Sequence, residues 1–184
     1  MINIYNEYKG TFEVSKAFYE TFKESCSTDE TKMFMNYVYF DGDNHNFVAT
    51  DGRRLIIHYD NSIGTMFTGF YELAKIGKKY KLIAVNEEGN FPSYQRVLPN
   101  MDNMENITVD NEDLFELTGN LKNDSVTLCE IIRALNCNIN IEFLTKVLKH
   151  VDSFKILKNS EQENTAIMIE IDNQTNYVIM PIYT

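Results

Sequence analysis

The chain has 184 residues, 43% of them hydrophobic and 12% aromatic, with only three prolines and a formal net charge of −10. That length buries a substantial core as one domain or two small ones, and the composition excludes both a disordered chain and a peptide that needs staples to fold. The acidic balance excludes a surface that is basic all over, so phosphate binding is left to a local basic face.

In chain order, residues 1–13 read as one or two strands. Ser15 then stands as the N-cap of a helix running to about Cys26, with Val14, Ala17, Phe18, Phe22 and Cys26 at helical spacing as its buried stripe. After the polar break Ser27-Thr28-Asp29-Glu30, the aromatic and β-branched run from Met33 to Phe40 predicts a strand. Asp41-Gly42-Asp43-Asn44 is a turn signal, and Phe47–Thr50 and Arg54–Tyr59 are the next strands, bent at Asp51-Gly52. A second short helix is expected over 67–76, then a strand from Tyr80 to Val85 and a polar turn over 86–90. The Phe91–Pro99 segment, bounded by prolines, reads as an extended linker or edge strand.

Residues 100–125 are acidic and Asn-rich, and Ser125–Leu135 reads as helical, with Val126, Leu128, Cys129, Ile132 and Leu135 mostly on one side. A short strand over 138–141 precedes a helix containing Phe143, Leu144, Val147, Leu148 and Val151. Strands over 153–157, 166–171 and 176–182 complete the chain. Both ends thus read β-α-β-β-β, a pattern of internal duplication in an α+β fold.

No segment carries a catalytic or metal-binding pattern. Asp41-Gly42-Asp43-Asn44-His45-Asn46 begins like a calcium loop, but it has no glycine at its sixth position and Gly52 stands where the bidentate glutamate belongs. His45, His58 and His150 are isolated from one another and from Cys or acidic partners at ligand spacing. The three cysteines, Cys26, Cys129 and Cys137, match neither a zinc site nor a disulfide framework and are expected to be reduced. Neither phosphate-binding glycine motif nor nucleophile motif is present, so a protein without enzymatic activity, cofactor or metal is expected. With no basic-then-apolar leader and no run near the roughly 18 apolar residues of a membrane span, a cytoplasmic protein is expected, with no membrane partner. Three Asn-x-Ser/Thr triplets, at Asn106, Asn123 and Asn173, are then coincidences of an Asn-rich chain.

Three segments in order along the chain, Phe47–Leu55, Gly89–Pro99 and Asn176–Thr184, together resemble the bacterial DNA polymerase III beta subunit, the beta sliding clamp. Phe47-Val48-Ala49-Thr50-Asp51-Gly52-Arg53-Arg54-Leu55 is similar to the family's Val-Ala-Thr-Asp-Gly-His-Arg-Leu signature, with Arg53 in place of the histidine. Gly89-Asn90-Phe91-Pro92-Ser93-Tyr94-Gln95-Arg96-Val97-Leu98-Pro99 resembles the segment that closes the family's middle domain. Asn176-Tyr177-Val178-Ile179-Met180-Pro181-Ile182-Tyr183-Thr184 resembles its carboxyl terminus. The family's first domain has no counterpart, and residues 100–137 match only vaguely.

The resemblance implies a shortened or divergent DNA-clamp-like α+β fold: repeated β-α-β-β-β units with antiparallel sheets and one helix each. Residues 1–100 would be a region like the clamp's middle domain and 101–184 an abbreviated carboxyl-terminal domain. Alternatively, residues 1–60 and 138–184 form one clamp domain with an insertion. It also implies a pocket for short linear peptides of polymerases and other clamp-binding proteins. Carried over by motif, that pocket involves Thr50, Gly52, Arg53, Leu55, Pro92, Arg96, Val97, Val178, Met180, Pro181 and Ile182. Its apolar members would accept Leu and Phe anchors, with an arginine at the rim for an acidic or carbonyl group. Clamp helices that face duplex DNA correspond here to those carrying Lys16, Lys23, Lys146 and Lys149, which makes non-specific double-stranded DNA a further expected partner and a homo-oligomer an expected assembly. Two functions stand side by side: a processivity or docking factor for DNA replication, and an interaction module that mimics or sequesters clamp partners without encircling DNA.

Overall fold

A computed structural model of the chain describes residues 10–62, 66–87, 89–101, 104–107, 137–151, 154–159 and 165–182. The chain divides into two compact units, Met1–Pro92 and Ser93–Thr184.

The first unit opens with β1 (Thr11–Val14) and α1 (Lys16–Ser25), whose N-cap Ser15 accepts the Phe18 N–H at 3.0 Å. The strands β2 (Val38–Asp41), β3 (Asn46–Thr50), β4 (Arg54–Tyr59), β5 (Gly69–Ile76) and β6 (Lys79–Ala84) follow. All pair antiparallel in the order β1-β6-β5-β2-β3-β4. Because successive side chains of a strand alternate faces and register partners share one, Phe40, Phe47, Ala49, Ile56, Tyr80 and Leu82 lie on the face that α1 covers. Phe18 of α1 meets Phe47 and His58 edge-on at 5.4 Å and stacks on Phe22 at 4.0 Å.

Three expectations for this unit are corrected. The buried residues of α1 are Tyr19, Thr21, Phe22 and Ser25, while Ala17 is exposed. Two hydroxyls can turn inward because each bonds a backbone carbonyl one turn back, Thr21 to Ala17 at 2.8 Å and Ser25 to Thr21 at 2.9 Å. The strand expected from Met33 starts only at Val38, because Met33–Asn36 forms a 3₁₀ turn closed by the Met35 N–H on the Lys32 carbonyl. The helix expected over 67–76 is the strand β5, since pairing with both β2 and β6 outweighs the helical preference of Glu72-Leu73-Ala74-Lys75. Gly77, at φ +62°, makes the hairpin turn that this pairing needs.

The second unit contains a 3₁₀ turn (Tyr94–Val97), β7 (Met104–Ile107), α2 (Ile141–Leu148), β8 (Lys155–Asn159), β9 (Ile167–Glu170) and β10 (Thr175–Ile179). Its strands pair antiparallel in the order β7-β8-β9-β10. Leu144, Val147, Ile156, Ile167, Ile169, Tyr177, Val178 and Ile179 are each no more than 1% exposed and form its core. The Tyr177 hydroxyl donates to the Phe143 carbonyl at 3.0 Å and ties β10 to α2. The strand expected over 138–141 is instead the approach to α2, where Asn140 caps the helix by accepting the Glu142 N–H at 3.0 Å. The linker expected over 91–99 contains the 3₁₀ turn. The helix expected over 125–135 lies outside the described residues, as do all of 1–9 and most of 102–136.

Both units are thus antiparallel sheets with few helices. Among the described residues no helix is long and apolar enough to cross a membrane. Desolvation pushes the Cys26 thiol up to about 12, and Cys137 is buried as a free thiol.

Candidate functional site

The first of the three motifs forms the β3–β4 turn, and its local bonding explains each residue type. Thr50 ends β3 and directly opposes Leu55 in β4. Its hydroxyl donates to the Arg54 carbonyl at 2.5 Å and accepts the Gly52 N–H at 3.0 Å. Asp51 accepts the N–H groups of Arg53 and Arg54 at 2.9 and 3.1 Å with one carboxylate oxygen, and the Arg54 Nε at 3.0 Å with the other. That ion pair is largely withdrawn from water, the two side chains being 8% and 18% exposed. Gly52 sits at φ +90°, a backbone state that side-chain-bearing residues resist, so glycine is required at the apex.

Lys32, from the loop before β2, donates to the Asp51 carbonyl at 2.9 Å, and its ammonium lies 3.7 Å from where a Cβ on Gly52 would be. The turn is therefore fixed by side chains and offers outward an exposed glycine and the exposed Arg53. Sequence reading took Asp51 only as a bend and passed over Lys32. The signal for Asp51 was an Asp before Gly with two following N–H groups in reach; Lys32 had none, being 19 positions away.

The other carried-over residues fall as follows. Pro92 closes the first unit and is exposed. Arg96 and Val97 lie on the 3₁₀ turn of the second unit, both exposed, Val97 at 39%. Val178 is fully buried within β10, Met180 half-buried, Pro181 buried, and Ile182 45% exposed with its N–H on the Asn138 carbonyl at 2.7 Å. The structure thus gathers Thr50, Gly52, Arg53 and Leu55 on one turn of the first unit, and Val178, Met180, Pro181 and Ile182 at the end of β10 in the second. Of the apolar members, Leu55 and Val178 are core-packed, and Val97 and Ile182 stand open. Lys16 and Lys23 are exposed on α1; Lys146 pairs with Glu142 at 3.9 Å on α2, and Lys149 follows it, exposed.

The Asp41–Asn46 segment is a turn joining β2 to β3, in which the Asp41 carboxylate accepts the Asn44 N–H at 3.4 Å and its side-chain amide at 2.8 Å. Among the described residues, no group of three or more His, Cys, Asp and Glu side chains is placed to hold a metal ion.

No protein-family model matches the sequence, and no curated protein does. Solved structures do. The DNA polymerase III beta chain of Streptococcus pneumoniae matches with a TM-score of 0.64 at 16% identity, over 95% of this chain and 64% of that one. The DNA polymerase sliding clamp of Bacillus subtilis matches at 0.59 and 11% identity, over 97% and 65%. The sliding clamp of Bartonella birtlesii, in a structure bound to griselimycin, matches at 0.54 and 16% identity, over 95% and 66%. The chain spans just under two thirds of the length of these proteins. At such identities the likeness is one of fold, and the fold of this chain is that of the bacterial sliding clamp, the beta subunit of DNA polymerase III, in a divergent form.

Proposed function

We propose that the chain is a sliding-clamp-like docking or processivity factor of DNA replication, without enzymatic activity, that binds linear peptides of polymerases or other clamp-binding proteins. In this reading residues 1–100 act as a middle-domain-like region and 101–184 as an abbreviated carboxyl-terminal one. The single observation that carries it is the clamp fold running through 95–97% of the chain. The signature turn adds support, since its internal bonding leaves Gly52 and Arg53 facing outward. Two of the structures it resembles, from Bartonella birtlesii and Pseudomonas aeruginosa, are clamps bound to griselimycin, so a fold of this kind accommodates a ligand.

The peptide contacts proposed are those carried over by motif, with Arg53 holding an acidic or carbonyl group and Val97, Met180 and Ile182 receiving apolar anchors. The test is calorimetric titration with a linear peptide bearing Leu and Phe anchors. Binding in the micromolar range is expected, lost in both an Arg53→Glu variant and an Ile182→Asp variant. Unchanged affinity in both variants overturns the site, and no binding by the unmodified protein overturns the reading.

Double-stranded DNA is the second partner in this reading, through Lys16, Lys23, Lys146 and Lys149. The net charge of −10 favours a second reading, a clamp-derived module that binds clamp partners and leaves DNA alone. Solution mass by light scattering separates them: a closed ring supports the clamp, and a monomer or open dimer supports the module.

A further inference from the structure

The lysines of the first unit are sorted between the two faces of its sheet. Tyr80 of β6 meets Tyr19 of α1 at 4.9 Å between ring centroids, so Tyr80 and its register partner Lys75 lie on the face that carries the helix. Lys79 and Lys81, one position either side of Tyr80, lie on the opposite face. That opposite face also carries Glu13, in register with Lys81, and Glu72, in register with Ile83. There Lys79 and Glu13 form an ion pair at 2.8 Å, and the hydrogen bond with its charge holds the Glu13 carboxyl below the usual range. The opposite face is balanced.

The helix face is not. Lys23 places its ammonium 5.6 Å from the Tyr19 ring centroid, and Lys75 places its own 5.5 Å from that of Tyr80. Two lysines from different elements thus bracket a pair of tyrosines, held by ring faces and not by carboxylates, which leaves their charge for an outside anion. At about 100° per residue, the order around α1 from the hairpin side is Tyr19, Lys23, Lys16, Glu20, Glu24, so the cations stand nearest the hairpin and the carboxylates turn away. Lys78, exposed at the β5–β6 turn, extends the row. Among the described residues, none of Lys16, Lys23, Lys75 and Lys78 has a carboxylate within 4.0 Å.

We propose that Lys75 and Lys78 of the β5–β6 hairpin complete, with Lys16 and Lys23 of α1, a track that follows a nucleic-acid phosphate backbone. It rests on the DNA part of the function proposed above and adds to it a strand hairpin that no sequence pattern pointed to. Point charges without an apolar anchor are what a backbone of phosphates takes, whereas a protein partner or a membrane would need an exposed hydrophobe on this face. The exposed hydrophobe next to Lys75, Ile76, lies on the other face by register with Lys79, and Tyr59 does so by register with Asn46.

The experiment is fluorescence anisotropy of a labelled DNA duplex of arbitrary sequence, titrated with the full chain at rising potassium chloride. The four phosphate contacts of this track predict a contribution of about −4 to the slope of log affinity on log salt. The double variant Lys75→Gln/Lys78→Gln is expected to bring it to about −2, and Lys79→Gln/Lys81→Gln to leave it unchanged. The exposed changes at Lys75, Lys78 and Lys79, and the half-buried one at Lys81, are expected to leave the melting temperature where it was, which circular dichroism checks. If Lys16→Gln/Lys23→Gln flattens the slope while the hairpin pair does not, or if the two hairpin pairs act alike, the track is wrong and the DNA reading stands. If the unmodified protein shows no salt-dependent binding, both fall. Equal displacement by polyglutamate at matched charge overturns the nucleic-acid assignment in favour of an acidic protein.

Discussion

The two units solve the same problem, pinning one helix to an antiparallel sheet, with different chemistry. In the first, rings do it: Phe22 is fully buried, stacked on Phe18 at 4.0 Å, and Phe18 in turn meets Phe47 and His58. In the second, α2 is held by Leu144 and Val147, both at most 1% exposed, and by a tyrosine hydroxyl from β10. Ring contacts are directional, so losing one ring costs its neighbours as well; aliphatic packing loses mainly area and leaves a cavity. The largest expected effect follows. Phe22→Ala is expected to destabilise the chain by about 4 kcal/mol in denaturant unfolding, and Leu144→Ala by about 3 kcal/mol. A larger loss in Leu144→Ala breaks the comparison.

The hairpin turns extend it. The β3–β4 turn and the β9–β10 turn are both closed by an aspartate. Asp172 accepts the Gln174 N–H at 2.7 Å and the Thr175 hydroxyl at 3.0 Å in an exposed setting. Asp51 holds two N–H groups and also the guanidinium of Arg54, a residue only 7% exposed. Removing one partner of a pair withdrawn from water strands the other charge, which costs more than the bond itself contributes. Asp51→Ala is therefore expected to cost about 3 kcal/mol and Asp172→Ala about 1 kcal/mol. Equal losses would mean that the Arg54 pair contributes nothing beyond the turn.

What the sequence disclosed follows the range of the forces involved. Ser15 as a cap, the turn after Asp41, the bend at Asp51-Gly52 and the closing strands are set by residues within a few positions, and they stand in the structure close to where the spacing puts them. The 67–76 segment was misread because its local preference is helical and only its distant partners, β2 and β6, make it a strand. The start of β2 was misread because the Ser27 N–H on the Met35 carbonyl at 2.9 Å holds Met33–Asn36 in a turn that no pattern announces. The site is legible to a similar degree. The signature turn is local and was found, but the Lys32 bond that steadies it crosses the fold and was not, and the pairing of Lys75 with Tyr80 was hidden because the strand that carries Lys75 reads locally as a helix.

The smallest expected effect isolates a polar bond in the second unit's helix attachment. Tyr177 is fully buried, and the only difference between it and phenylalanine is the hydroxyl whose hydrogen bond reaches the Phe143 carbonyl at 3.0 Å. Phe143 lies in the first turn of α2, so its carbonyl is already an acceptor for a helical N–H further along; the hydroxyl adds a second partner and is not the sole one. Tyr177→Phe therefore leaves ring packing intact and strands no buried donor. The loss should be about 1 kcal/mol, the net worth of a hydrogen bond between neutral groups. Denaturant unfolding reads it as a shift in midpoint with no change in slope. A loss of several kcal/mol would mean that the hydroxyl, and not Leu144 and Val147, carries the attachment of α2. No loss would leave the aliphatic contacts as the whole of it.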